Sequence, residues 1–181
     1  MKKPLFIHIP KAGGSSIKNI IKKYNKELTT CLHRPVTHYS TEYRDSCFVF
    51  SFVRNPYDRL LSAHKYLTGG YGNEGDTKLG KTLSSDFKYF VKNELHMHHY
   101  GHFTPMKYFL DYNIDFIGRF ENFQEDFNIV CNKIGIQQQQ LPHQNKSEHK
   151  HYTEYYDEET KSIVAEKYAK DIEHFGYKFG E

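Results

Sequence analysis

The sequence predicts an α/β fold, with a small, mostly parallel sheet flanked by helices in a single domain over residues 1–181. Three observations predict it. Short apolar runs of strand length alternate with segments of helical period. Two of those runs feed directly, through a small-residue turn and an Asn-Pro step, into a helix. The chain of 181 residues is long enough for one core and short for two.

Leu5–Ile9 is an apolar run stopped by Pro10, and Pro10–Ser16 (PKAGGSS) is a tight turn. Ile17, Ile20, Ile21 and Tyr24 then recur at helical spacing. Residues 28–32 form a second short strand, while 37–45 are polar and carry no clear period. Cys47–Val53 is nearly all apolar, as in a strand buried on both faces. Asn55-Pro56 starts a helix, with Asn as the cap and Pro in the first helical position. Five glycines between Gly69 and Gly80 predict a mobile loop. Phe87, Phe90, Val91 and Leu95 predict one helix, and Thr104-Pro105 restarts another to about Leu110. Ile114–Phe120 reads as a third core strand. Phe123 to Ile134 reads as a helix closed by Gly135, and Val164 to Phe175 as a last helix stopped by Gly176.

Composition excludes several classes. With 15 Tyr and 14 Phe the chain is neither disordered nor collagen-like. No apolar run of about 18 residues exists to span a membrane, and the N-terminal apolar stretch is shorter than a secretory signal needs. Three widely spaced cysteines make neither a disulfide framework nor a metal site. A cytoplasmic protein is the expectation. A net charge of +3 predicts no general affinity for nucleic acid. The first 36 residues, however, carry eight Lys and Arg against one acid, which points to an anionic ligand there. No pattern specifies an oligomeric state.

Lys11, Ala12, Gly13, Gly14, Ser15 and Ser16 lie where a strand feeds a helix. Glycines admit close approach of an anion, and the N–H groups of Gly14–Ile17 head the helix. Lys11 adds charge and the two serines add hydroxyls. This is not a nucleoside-triphosphate loop, because its lysine precedes the glycines. A tight packing turn is the competing reading. Arg54 ends the second core strand, where ligands bind in parallel sheets, and Ser62 follows eight residues later. A solvated arginine beside a capping turn is the competing reading there.

FIHIPKAGGSSI resembles the 5′-phosphosulfate loop of sulfotransferases that use 3′-phosphoadenosine 5′-phosphosulfate (PAPS), particularly the carbohydrate type, sulfotransferase family 2. FSFVRNPYDRLLSAHKY resembles the 3′-phosphate motif of that family, including the Arg-to-Ser spacing. The resemblance continues in residues 114–127, 141–159 and 172–179, in order along most of the chain. It implies a P-loop-like three-layer sandwich. It implies that PAPS binds with its phosphosulfate on Lys11–Ser16 and its 3′-phosphate on Arg54 and Ser62. It further implies that the 141–152 segment closes over the nucleotide through Lys146, Ser147 or Lys150; a solvated loop is the alternative.

The implied reaction is sulfuryl transfer to a hydroxyl acceptor, such as a sugar or polysaccharide, with no metal. Lys11 would stabilise the leaving bisphosphate. His38, in VTHYSTEY, resembles the position of the catalytic histidine in several carbohydrate sulfotransferases; a surface histidine is the competing reading. His102, in GHFTPMKYF, is a second candidate that faces substrate, although Met106 stands where the family often has Gln. The cluster His96, His98, His99 and His102 lacks carboxylate or thiol partners within it, so solvated or substrate-facing histidines are expected rather than a metal site. A nucleotide kinase and a non-catalytic module binding a nucleotide or sulfated glycan are the alternative functions.

Overall fold

The computed structural model describes residues 2–99, 101–141 and 150–181. The chain divides into two compact units, residues 1–54 with 106–147, and residues 55–105 with 148–181.

The first unit holds a four-stranded sheet of β1 (Lys3–His8), β2 (Thr29–Leu32), β3 (Cys47–Val53) and β4 (Phe116–Arg119), in the order β2-β1-β3-β4. All pairs are parallel: Leu5 registers with Thr29 and Val49, and Phe50 with Phe116. Strand side chains alternate between faces. Phe6, Phe48, Phe50, Phe52 and Phe116 therefore share one face. There they meet Ile17 and Ile21 of α1 (Gly14–Tyr24) and Phe127, Val130 and Cys131 of α7 (Phe123–Ile134). The alternate set, Leu5, Ile7, Val49 and Val53, is equally buried, which accounts for the nearly continuous apolar runs. Ser51, also fully buried, spends its hydroxyl on the Ile7 carbonyl at 2.7 Å. The ambiguous 37–45 segment resolves into a 3-10 turn, Val36–His38, and a short α2 (Thr41–Ser46) capped by Ser40. β4 is shorter than expected. Before it, the Asp115 carboxylate accepts from the Val49 N–H at 2.7 Å, doing with a side chain what a backbone carbonyl would do. The expected helix after Pro105 is a single turn, α6 (Met106–Phe109).

The second unit is helical. Asn55 caps α3 (Pro56–Thr68) through the Tyr57 N–H, as the Asn-Pro step predicts. Residues 69–80 are not simply a loop but contain α4 (Glu74–Gly80), capped by Asn73. Gly80 is required by packing there, since a Cβ would run into the Leu67 carbonyl. The expected 87–95 helix changes pitch twice, from one α turn, α5 (Phe87–Tyr89), to a π turn at Phe90–Glu94 and a 3-10 turn at Leu95–Met97. Those changes accompany burial of Phe87, Phe90, Val91 and Leu95 in one cluster with Leu61 and Phe103. The last helix divides at Tyr168 into α8 (Glu158–Lys167) and α9 (Ala169–Phe175). Tyr168 is buried and its hydroxyl donates to the Phe103 carbonyl at 2.9 Å. Its ψ of 23° lies outside the helical range.

Candidate active site

The chain leaves β1 at His8 and turns through Lys11, whose φ of 65° is left-handed. Such a conformation costs an L-residue roughly 1–2 kcal/mol. Gly13, with φ of 78°, is the N-cap of α1, and among the described residues no side chain caps the helix. The first turn of α1 contains no acid of its own to oppose an anion. Both glycines are imposed by packing: a Cβ at Gly13 would meet the Phe123 ring, and one at Gly14 the His8 imidazole. The four expected anion donors are reduced. The Ser16 and Ile17 N–H groups turn back to the Gly13 carbonyl at 3.1 and 3.4 Å. Gly14 and Ser15 head the helix, with Ser15 exposed and Ser16 buried.

Arg54 follows β3. Its Nη1 donates to the Lys11 carbonyl at 3.1 Å, its guanidinium lies 4.2 Å from the centre of the Phe120 ring, and its N–H reaches the Met106 sulfur at 3.5 Å. Met106 thus supplies a weak sulfur contact to the Arg54 backbone, not an amide contact to a ligand. The two residues predicted for separate anion subsites are thus joined, guanidinium to backbone carbonyl, at the C-terminal ends of β1 and β3.

Two further residues join them that spacing alone did not single out for the site. The His8 ring stacks on Phe6 and stands edge-on to His33 at 5.3 Å. His33 follows β2 and, with φ of 55°, shares the left-handed conformation of Lys11. His33 precedes a proline by two residues and has no periodic pattern around it. The parallel pairing of β2 with β1 is what brings it beside His8.

The remaining predicted residues fall as follows. His38 ends the 3-10 turn after β2, is exposed, and touches Tyr39 ring edge to face. Ser62 is half-buried on α3 in the second unit. Arg59, on the same helix, is fully buried and donates to the His102 and Thr104 carbonyls at 3.3 and 2.6 Å, a structural task. His102 is buried, and its Nε2 meets Asp76 Oδ1 at 3.1 Å. Asp76 also accepts from the Tyr66 hydroxyl at 3.5 Å. That pairing ties His102 to α4 within the second unit. Lys150 is exposed and ion-paired with Glu154 at 3.1 Å. Lys146 and Ser147 lie outside the described residues. His98 neighbours Phe90 and Phe103, and burial holds its pKa below the ordinary histidine value. Among the described residues, no group of three His, Cys, Asp or Glu is placed to hold a metal ion.

An uncapped helix start, a lysine beside it and an arginine on the neighbouring strand end can bind and neutralise oxyanions. The four-stranded parallel sheet with its helices defines an α/β protein, with these residues at the C-terminal ends of its strands. The chain belongs to the sulfotransferase family, which it matches over residues 2–178. It is accordingly a sulfotransferase. No curated protein gives a significant match, and no solved structure does. Among the described residues, no helix is long and apolar enough to cross a membrane.

Proposed function

We propose that the protein, acting as one catalytic domain, transfers the sulfuryl group of PAPS to a hydroxyl of a carbohydrate acceptor. The observation that carries this reading is the Arg54–Lys11 arrangement, in which the Arg54 guanidinium donates to the Lys11 carbonyl on the turn that leads into α1. Lys11 and the start of α1 bind the 5′-phosphosulfate. Arg54, with Ser62 as the resemblance places it, binds the 3′-phosphate.

The acceptor oxygen attacks sulfur as the bond from sulfur to the phosphate oxygen breaks. Charge grows on that phosphate oxygen, where Lys11 and the Gly14 and Ser15 N–H groups are worth most. The acceptor proton passes to a histidine of the segment after β2, with His38 as the base. His33 is the second reading, favoured by its ring standing beside His8, which itself covers Gly14. No step calls for a divalent ion.

The test is transfer from radiolabelled PAPS to a panel of polysaccharides, with and without EDTA. Sulfated product that persists in EDTA is expected. Labelled phosphate transfer from ATP that needs magnesium would replace this reading with a kinase. Binding of adenosine 3′,5′-bisphosphate (PAP) without turnover on any acceptor would leave a binding module.

A further inference from the structure

Arg44 is an unusual residue for its position. It lies on α2, is only 7% exposed, and makes no ion pair among the described residues. Its Nη2 donates to the Thr41 hydroxyl at 2.9 Å, and its guanidinium lies 3.6 Å from the centre of the Tyr112 ring. Its Nε and Nη1 are buried and meet no acceptor among the described residues. Arginine is rarely buried without a partner, and a charged donor taken from water demands one. Stacking on Tyr112 satisfies the face of the guanidinium and leaves the donors in its plane unmet.

Arg44 lines a cleft of about 220 Å³ whose wall also includes Lys2, Asp45, Tyr112, Asn113 and Asp115. These residues precede or begin β1, β3 and β4, so the cleft lies at the N-terminal edge of the sheet. Lys11 and Arg54 lie at the opposite edge. Three acids are near: Asp115, whose carboxylate accepts from the Val49 N–H, and Asp45 and Glu42, both exposed to solvent, which screens them, with Glu42 acting on Arg44 electrostatically.

We propose that this cleft is a second binding site, which takes the oxyanion group of a small molecule on Arg44, with Lys2 at its rim. Tyr112 is more than a third exposed and is the side chain with freedom to give way as the anion reaches the Arg44 donors. The ligand class is a sulfate, phosphate or carboxylate group. The proposal is independent of the donor assigned to the Lys11 loop.

The experiment titrates the full chain with sodium sulfate, inorganic phosphate and acetate at constant ionic strength, while following the arginine Nε–H resonances by NMR. A saturable shift of the Arg44 resonance by at least one of these anions is expected. The shift should persist in a Lys11→Ala/Arg54→Ala variant, and calorimetric affinity should fall at least about tenfold in Arg44→Gln. Preference for acetate would identify a carboxylate ligand, and preference for sulfate or phosphate a tetrahedral one. No saturable shift with any anion, or equal affinity in a folded Arg44→Gln protein, would overturn the proposal. Should Arg44→Gln fail to fold, the resonance of the unsubstituted chain still decides.

Discussion

The Arg54 guanidinium donates to the Lys11 carbonyl at 3.1 Å, across the ends of two adjacent parallel strands. The residue proposed for the 3′-phosphate therefore also braces the loop proposed for the phosphosulfate. Arg54→Ala should weaken PAP binding by about 10–150-fold, the worth of a charge-assisted hydrogen bond. Adenosine 5′-monophosphate should lose less, yet more than nothing, because the loop is loosened. Calorimetry with both ligands measures the difference, and equal losses would remove Arg54 from the 3′-phosphate.

Lys11 combines a charge with a left-handed backbone, and the two can be separated. Lys11→Gly removes the amine but suits φ of 65°. Turnover should fall by about 10²–10³-fold, as when a donor to developing charge is lost. The melting temperature should hold or rise. Lys11→Ala should lose turnover to the same degree with the melting temperature unchanged, because alanine bears the same left-handed cost as lysine. A Lys11→Gly protein as active as the parent would show that the amine takes no part in transfer.

The His8 imidazole covers Gly14, so Gly14→Ala forces one of them to move. A loss of about 1–3 kcal/mol is expected from overpacking. Adding His8→Ala should recover part of it, and chemical denaturation of the single and double variants tests the coupling.

The histidines should separate by readout. His38→Ala should lower turnover by about 10²–10⁴-fold with PAP affinity unchanged. His33→Ala is the parallel experiment, and the larger loss identifies the base. His102→Ala should instead lower the melting temperature, since it breaks the contact with Asp76.

His64 provides a pH test of stability. Its Nε2 is 2.8 Å from the Ser84 carbonyl, its ring lies among Phe87 and Phe90, and burial lowers its pKa below the ordinary value. The unfolded chain therefore takes up a proton at that residue at a higher pH than the folded one. Its stabilising share is complete above about pH 6.5 and is lost as pH falls from there through the lower folded value. Thermal melts should show a steeper acid loss for the parent than for His64→Gln. Identical slopes would assign the acid loss to other groups.

Much of the first unit was legible because its signals are local. Leu5–Ile9 and Cys47–Val53 are apolar but for His8 and Ser51, and the small residues of PKAGGSS mark the turn into α1 by composition alone. The second unit was less legible because distant packing overrode local preference. Gly80 disguised α4 as a loop, though it is there for the Leu67 carbonyl. Tyr168 interrupted a stripe of helical period, and its hydroxyl is bonded to Phe103. In the site, Lys11 and Arg54 were evident from strand ends followed by turns. Their hydrogen bond, and the meeting of His33 with His8, depend on strand register that spacing does not encode.

The neighbours β3 and β4 are separated in the chain by residues 54–115. A ribosome adding about 5–20 residues per second would take roughly 3–12 s to produce that interval. During it, β3 presents an unsealed row of peptide groups rich in phenylalanine, the kind of edge on which chains aggregate. Yield from slow or cold synthesis should therefore depend on how well Phe48, Phe50 and Phe52 are shielded before Phe116 emerges.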